Sequence, residues 1–239
     1  MELTFLGRGA GFNPSEGSTS AYFIENNELF LIDCGESIFK TLLDRKVMDS
    51  VTALHVLITH THSDHIGSLG SLMLYFFNKK KIAGNIIIGE NMHYQSSIRS
   101  LLTIFGLREN MYRFVEASIY DSKYSAFSKL RFIQVQHASE LETCALLFET
   151  DKGLVFYSGD MKDNIPIVEI IESKRQIDKI YIDVCSNREN QYHVSVHEVN
   201  DIVPPELKSK IYCMHIDNKQ CIDDANSYGF NVVSVSIDK

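Results

Sequence analysis

Short apolar runs, separated by polar or glycine-rich turns, recur along the chain at the length and alternation of β-strands. "LTFL" at residues 3–6 is the first, and the loop "GRGAGFNPSEGS" follows it. "SAYFIE" and "LFLIDCG" flank "NNE", a hairpin signal, while "ALHVLIT" and "NIIIG" read as buried strands. The second half adds "KLRFIQVQH", "TCALLFET", "GLVFYSGD", "KIYIDVC", "KIYCMH" and "NVVSVSI". Helical spacing places Ile38, Leu42 and Leu43 on one side of "SIFKTLLDRKV". "IGSLGSLMLYFFNKKK", residues 91–108, "NIPIVEIIESKR" and "HEVNDIV" read as further helices. No strict βαβ rhythm runs through these elements. The pattern predicts an α+β fold of two mixed sheets packed together with helices outside, not a doubly wound sheet.

With 239 residues, 44% of them hydrophobic, the chain can bury a proper core, and no repeat or Pro/Ser-rich linker divides it. A single domain over residues 1–239 is expected. The net charge is −8 and the densest basic run is only "NKKK" at 78–81, so a large nucleic acid is not the expected partner. Cys34, Cys144, Cys185, Cys213 and Cys221 form no CxxC pair and lie in strand-like segments, which fits reduced, buried thiols. No apolar run approaches the roughly 18 residues of a membrane span, and "MELTFLGRGAGF" lacks a signal-peptide pattern. A cytoplasmic protein is expected. "GRGAG" at 7–11 superficially matches a dinucleotide loop, but Asn13-Pro14 continues it as loop rather than helix. It reads instead as a loop at the rim of a site.

The chemistry concentrates in "ALHVLITHTHSDHIGSL", residues 53–69, where an apolar strand ends in His60, His62, Asp64 and His65. Imidazole nitrogen and carboxylate oxygen are ligands for zinc-like cations. Residues two apart in an extended segment face the same way, so His60 and His62 can share one ion. Asp64 and His65 fall where the chain turns helical and point elsewhere, which suggests two neighbouring metals. Further ligands must come from the rest of the chain. His137, Asp160 and His215 each end an apolar run that would deliver them to one edge of the sheets. His55 reads as a core residue within its strand and His93 as surface. His197, one turn beyond His193, is retained only as a supporting candidate.

HxHxDH followed by a strand-end His, "SGD" and a late His resembles the metallo-β-lactamase superfamily over nearly the whole chain. The resemblance implies a four-layer αββα sandwich. It also implies two divalent ions, with His60, His62 and His137 on one, Asp64, His65 and His215 on the other, and Asp160 bridging. Asp33 in "LFLIDCGES" matches the early Asp that supports the site. That wording is similar to the ribonuclease Z branch, as is "YIDVCSNRENQYHVSVHEV", where an acidic residue precedes a His-x-Ser/Thr motif. On this resemblance His193 protonates the leaving oxygen, and Asp183 stands where the branch usually carries Glu. His193, Asp183 and Asp64 are the catalytic candidates.

The ribonuclease Z branch inserts a tRNA-holding arm after its third-motif histidine, whereas here "ASELETCALLFETDKGLVFYSG" leaves room only for two strands and a turn. An arm-less chain of this wording resembles the phage-encoded anti-Pycsar phosphodiesterases. The resemblance implies hydrolysis of 3′,5′-cyclic mononucleotides to 5′-nucleotides, removing antiviral signals, in the host cytoplasm if phage-encoded. It also implies a homodimer and two metal ions, with zinc the first expectation and manganese the second. Tyr112, Phe114, Tyr120 and Tyr124 are candidates for a ring on which the base stacks. The rival readings are a tRNA 3′-processing endonuclease, a metallo-hydrolase of lactones or thioesters, and a protein that only sequesters a nucleotide.

Overall fold

The computed structural model describes residues 1–89 and 92–235. Within them, β1 (Thr4–Gly7), β2 (Ser20–Glu25), β3 (Glu28–Ile32), β4 (Ala53–Leu57), β5 (Gly84–Ile88) and β6 (Tyr112–Glu116) form one sheet in that order. The second sheet contains β7 (Lys129–Val135), β8 (Thr143–Thr150), β9 (Gly153–Tyr157), β10 (Ile177–Asp183), β11 (Ile211–Met214) and β12 (Asn231–Val232). Each sheet begins as an antiparallel meander, β1-β2-β3 or β7-β8-β9, and continues as a parallel ladder. The α-helices are α1 (Ile38–Asp44), α2 (Ser63–Ile66), α3 (Leu69–Tyr75), α4 (Gln95–Ile104), α5 (Ile165–Glu172), α6 (Val196–Ile202) and α7 (Lys219–Ser227).

Alternation along the strands builds the layers. Leu29 and Leu31 of β3 pack outward with Ile38, Leu42, Leu72 and Met73 of α1 and α3. Phe30 and Ile32 face the opposite way and meet Phe148, Val155 and Tyr157 of the second sheet. That sheet's outer face, including Phe156, Ile180 and Ile182, is covered by Ile167 of α5, Val199 of α6 and Cys221 of α7. The result is the αββα sandwich of two mixed sheets. Local chemistry agrees with it. Asn26 and Asn27 turn the β2–β3 hairpin at positive φ (53° and 61°), and a Ser195–Glu198 capping box starts α6.

Several elements differ from their sequence pattern. Leu43 is 39% exposed while Ile38 and Leu42 are buried, because one helical step rotates it off the buried face. "IGSLGSLMLYFFNKKK" is not one helix: α2 ends at Ile66, the chain turns helical again at Leu69 in α3, and a wider π-type turn spans Phe76–Lys80. The helix expected over 91–108 is confined to Gln95–Ile104, and residues 90 and 91 lie outside the described ones. "NVVSVSI" pairs only as β12 and a bridge from Val235 to Phe5, with residues 236–239 outside the described ones. β6 and α7 have no counterpart in the sequence pattern. All five cysteines are buried and free. Among the described residues, no helix is long and apolar enough to cross a membrane.

Candidate metal centre and active site

Because β3, β4, β9, β10 and β11 run parallel within their ladders, residues at their C-terminal ends arrive at shared edges. Asp33 follows β3, His60 follows β4, Asp160 follows β9, Asp183 ends β10 and His215 follows β11. β7, parallel to β9 across β8, delivers His137. Asp33 and His215 turn off their strands at positive φ (60° and 55°), a conformation that costs a non-glycine residue about 1–3 kcal/mol. Gly35 admits the helical part of the motif: a Cβ there would lie 1.8 Å from the Asp64 carbonyl oxygen. Cys34 N–H donates to His65 O at 2.6 Å, which locks α2 beside β3.

The seven sequence-predicted ligands converge in two groups that share one residue. His60, His62, His137 and Asp160 form one group, and Asp64, His65, Asp160 and His215 the other. In the first, His62 Nδ1 lies 3.0 Å from His60 Nε2 and 3.3 Å from His137 Nε2. Asp160 Oδ2 lies 3.7 and 3.6 Å from His60 and His137 Nε2. In the second, His215 Nε2 is 3.3 Å from Asp64 Oδ2 and 3.4 Å from Asp160 Oδ2. The outward nitrogens of three of these histidines are occupied, which sets their tautomers. His65 Nδ1 bonds Asp33 at 2.8 Å, His137 Nδ1 bonds Tyr192 O at 2.8 Å, and His60 Nδ1 bonds Thr59 Oγ1 at 3.0 Å. Thr59 itself donates twice to Asp33, from its amide at 2.8 Å and its hydroxyl at 2.7 Å.

These donors are arranged for a cation. His65 Nε2 and Asp160 Oδ1 are buried without a hydrogen-bond partner and face each other at 3.2 Å. Two such polar atoms are costly to bury unless something positive joins them. Burial pushes Asp160 up, but His215, His65 and His60 outweigh it and hold the carboxyl well below its usual range. Burial chiefly lowers His60, His62 and His137, leaving them as the neutral imidazoles that ligate metals. Burial also pulls His65 down, yet Asp160 and Asp33 override it and raise it well above the ordinary value. The ring thus sits where positive charge is attracted, and a divalent cation meets that demand with nitrogen and carboxylate donors suited to zinc or manganese.

His193 and Asp183 complete the site. His193 Nδ1 is 2.8 Å from Asp183 Oδ2, and its ring centroid lies 4.9 Å from those of both His137 and His215. Burial lowers His193, but the hydrogen bond and charge of Asp183 prevail and its pKa is raised. Asp160, Asp183, His193 and His215 form a third donor group. A cavity of about 510 Å³ opens over Asp160, His193 and His215 and is also lined by Ala10, Gly11 and Phe12, the loop that the sequence places at a rim.

Other candidates lie elsewhere. His55 is in the inter-sheet core, stacked on Phe30 at 4.5 Å and bonded to Tyr120 and Glu28 at 2.9 and 2.8 Å. His93 is exposed. His197 gives no support to His193: it faces α7, bonding the Tyr228 hydroxyl at 2.8 Å and approaching Asp224 at 3.6 Å. Tyr112, Tyr120 and Tyr124 are buried and Phe114 packs on the outer core, so within this chain none of the four offers a ring to the site. The rings that do line the cavity are Phe12 and Tyr192. Sequence reasoning missed them, along with Thr59, whose only signal was its place before His60.

A family model described as "Anti-Pycsar protein Apyc1" matches residues 1–233. The anti-Pycsar protein Apyc1 of Bacillus phage 010DV004 is 27% identical over 90% of this chain and 88% of its own. Ribonuclease Z of Oceanobacillus iheyensis is 26% identical over 93% of this chain and 72% of its own. Among solved structures, the metallo-β-lactamase fold protein YhfI of Bacillus subtilis superposes with a TM-score of 0.75 at 16% identity, covering 98% of this chain and 97% of its own. The fold is therefore that of the metallo-β-lactamases, and the chain belongs to the anti-Pycsar protein Apyc1 family.

Proposed function

We propose that this chain is a metal-dependent phosphodiesterase that hydrolyses 3′,5′-cyclic mononucleotides to 5′-nucleotides, removing signals of an antiviral response. The observation that carries the reading is the His193–Asp183 pair beside both ligand groups, a proton donor next to the place where a phosphate would be held. His60, His62 and His137 would hold one cation, Asp64, His65 and His215 the other, and Asp160 both. Zinc is the first expectation and manganese the second. Bound there, the cations supply an activated water and neutralise charge building on the phosphate.

The chain's own residues do the rest. Asp183 accepts a hydrogen bond from His193 Nδ1–H, fixes the ring and favours the imidazolium, leaving Nε2 as the nitrogen that gives up a proton. Water adds to phosphorus, the bond from phosphorus to O3′ breaks, and O3′ takes the His193 proton. The proton shed by the attacking water restores His193. A 5′-mononucleotide leaves, and the sum is the substrate plus one water.

The cavity, about 510 Å³, suits a mononucleotide. β8 and β9 are joined by a turn at Asp151 and Lys152, which offers no arm for a tRNA. The ribonuclease Z relative, by contrast, matches over only 72% of its length. We also propose a single domain, a homodimer and a cytoplasmic location. The test is a panel containing purine and pyrimidine cyclic mononucleotides, a pre-tRNA, a lactone and a thioester, given to the metal-loaded protein. Release of 5′-nucleotides from the cyclic compounds alone is expected. Processing of the pre-tRNA, or turnover confined to lactone or thioester, would overturn the reading.

A further inference from the structure

Two aromatic rings line the cavity above the ligand groups, and neither takes part in the chemistry just derived. Phe12 is 104% exposed and Tyr192 is 53% exposed, yet both stand on backbone fastened to the site. The Phe12 loop is tied to the residue after His215. Ala10 N–H donates to Ile216 O at 3.0 Å, Ile216 N–H donates to Arg8 O at 2.7 Å, and Asn13 Nδ2 donates to Ile216 O at 2.9 Å. Gly11 lies against Asp64, where a Cβ would come 2.9 Å from Oδ2. Tyr192 is held from another side: its carbonyl accepts from His137 Nδ1, and its N–H donates to Asn190 Oδ1 at 2.8 Å. Its ring centroid is 6.3 Å from that of His137. A phenylalanine kept in water on a pinned loop forgoes the burial such a side chain normally gains. A ligand that covers it recovers that burial.

We propose that Phe12 and Tyr192 form the platform on which the substrate's nucleobase rests. The inference rests on the phosphodiesterase reading above. With the phosphate among the donor groups, the base at the other end of the ribose extends toward the cavity walls, where these rings stand. Two polar groups on the same walls are partly engaged, while Asp217 Oδ1 is buried without a hydrogen-bond partner. Asn190 Oδ1 accepts from the amides of Tyr192 and His193, and Asp217 Oδ2 accepts from the amide and hydroxyl of Ser186. A ring face stacks on any base without reading its hydrogen-bonding edge.

The chain contains no tryptophan, so Phe12→Trp places a single reporter on the platform. Titrating metal-loaded Phe12→Trp with slowly hydrolysed cyclic phosphorothioates of adenosine and uridine should quench its fluorescence. Base-free 1-O-methylribose 3′,5′-cyclic phosphate should not. Phe12→Ala and Tyr192→Ala should each lower the ratio of kcat/KM on cyclic AMP or cyclic UMP to that on the base-free ester, by about 5- to 150-fold. Phe12→Tyr and Tyr192→Phe should restore the ratio. An unaltered ratio in both alanine variants, in a protein that cleaves cyclic nucleotides, overturns the platform and leaves the phosphodiesterase reading standing. A protein inert toward every cyclic nucleotide overturns both. A change from dimer to monomer in Phe12→Ala, seen by light scattering, assigns the ring to a contact between copies and overturns the platform as well.

Discussion

His193→Ala is the substitution that separates phosphodiester chemistry from the other reactions this fold can host. The side chain belongs to neither of the two groups that share Asp160 among His60, His62, His137, Asp64, His65 and His215, so both metals should remain. In the proposed reaction its loss would remove the proton for O3′, a sugar alkoxide that leaves poorly without one. General acid catalysis contributes about 10²–10⁴ in rate, or roughly 2.7–5.4 kcal/mol of barrier. Two features place this case in the upper half of that range. Asp183 is fully buried, and its remaining donors, Met161 N–H at 3.1 Å and Ser158 Oγ at 3.5 Å, carry no charge. The ion pair with His193 is therefore poorly screened, and the imidazolium is correspondingly well held. The assay compares kcat on a cyclic nucleotide with kcat on methyl 4-nitrophenyl phosphate, whose nitrophenolate departs unprotonated. Metal content is measured by mass spectrometry and folding by thermal melting. A loss of about 10³–10⁴ on the first substrate and under about 10-fold on the second is expected. Equal losses on both would refute proton donation and assign His193 to positioning.

Asp160→Ala should lower bound metal and abolish hydrolysis together, because Asp160 alone is common to both ligand groups; two tightly held ions with full turnover would defeat that assignment. Chelation of the wild-type protein should lower its melting temperature. Re-addition of zinc or manganese to about 100 times Kd should return about 2.7 kcal/mol of stability per site, and a melting curve indifferent to metal would contradict the fit of the donor set. Far from the ligand groups, His55 is lowered by burial, the largest effect, against which the Glu28 hydrogen bond and charge work; Lys123 lowers it further, and Tyr120 and Asn85 also contact the ring. The unfolded chain therefore takes up a proton from about pH 6.5 downward more readily than the folded ring does, so this group costs stability as pH falls through that window. Glu28 is itself lowered, the Tyr124 and His55 contacts outweighing burial, so its own contribution persists until pH falls through its depressed value. Denaturant titrations of metal-loaded His55→Gln should consequently show a shallower loss between pH 7 and 5.5 than wild type; an identical slope would refute the argument.

What the sequence concealed was decided by distant partners. Tyr112, Tyr120 and Tyr124 look as available as any tyrosine, but burial depends on what packs above them. Tyr120 is satisfied by His55 of β4, and Tyr124 by Glu28 at 2.6 Å. Phe12 sits in a glycine-rich loop that nothing nearby would rigidify; its anchor, Ile216, lies more than 200 residues away in the chain. α7 escaped detection because Cys221 and Ala225 are its buried residues, too few for a helical stripe to stand out. β6 is an edge strand whose polar positions blur its alternation.

The ligands were legible for a topological reason. A parallel ladder aligns strand ends, so a polar residue that closes an apolar run is carried to the same edge as its counterparts, wherever it lies in the sequence. His60, Asp160 and His215 obey this rule, and local spacing adds His62, Asp64 and His65 without further information. The rule gives position without pairing. Nothing in an apolar run ending in histidine says whether His137 joins His60 or His65, and that division came from the family resemblance. The geometry supplies a physical basis for it: His137 Nε2 lies 3.3 Å from His62 Nδ1, while His215 Nε2 lies 3.3 Å from Asp64 Oδ2. With Asp160 buried between them, one carboxylate faces both groups, which is the arrangement two adjacent cations require.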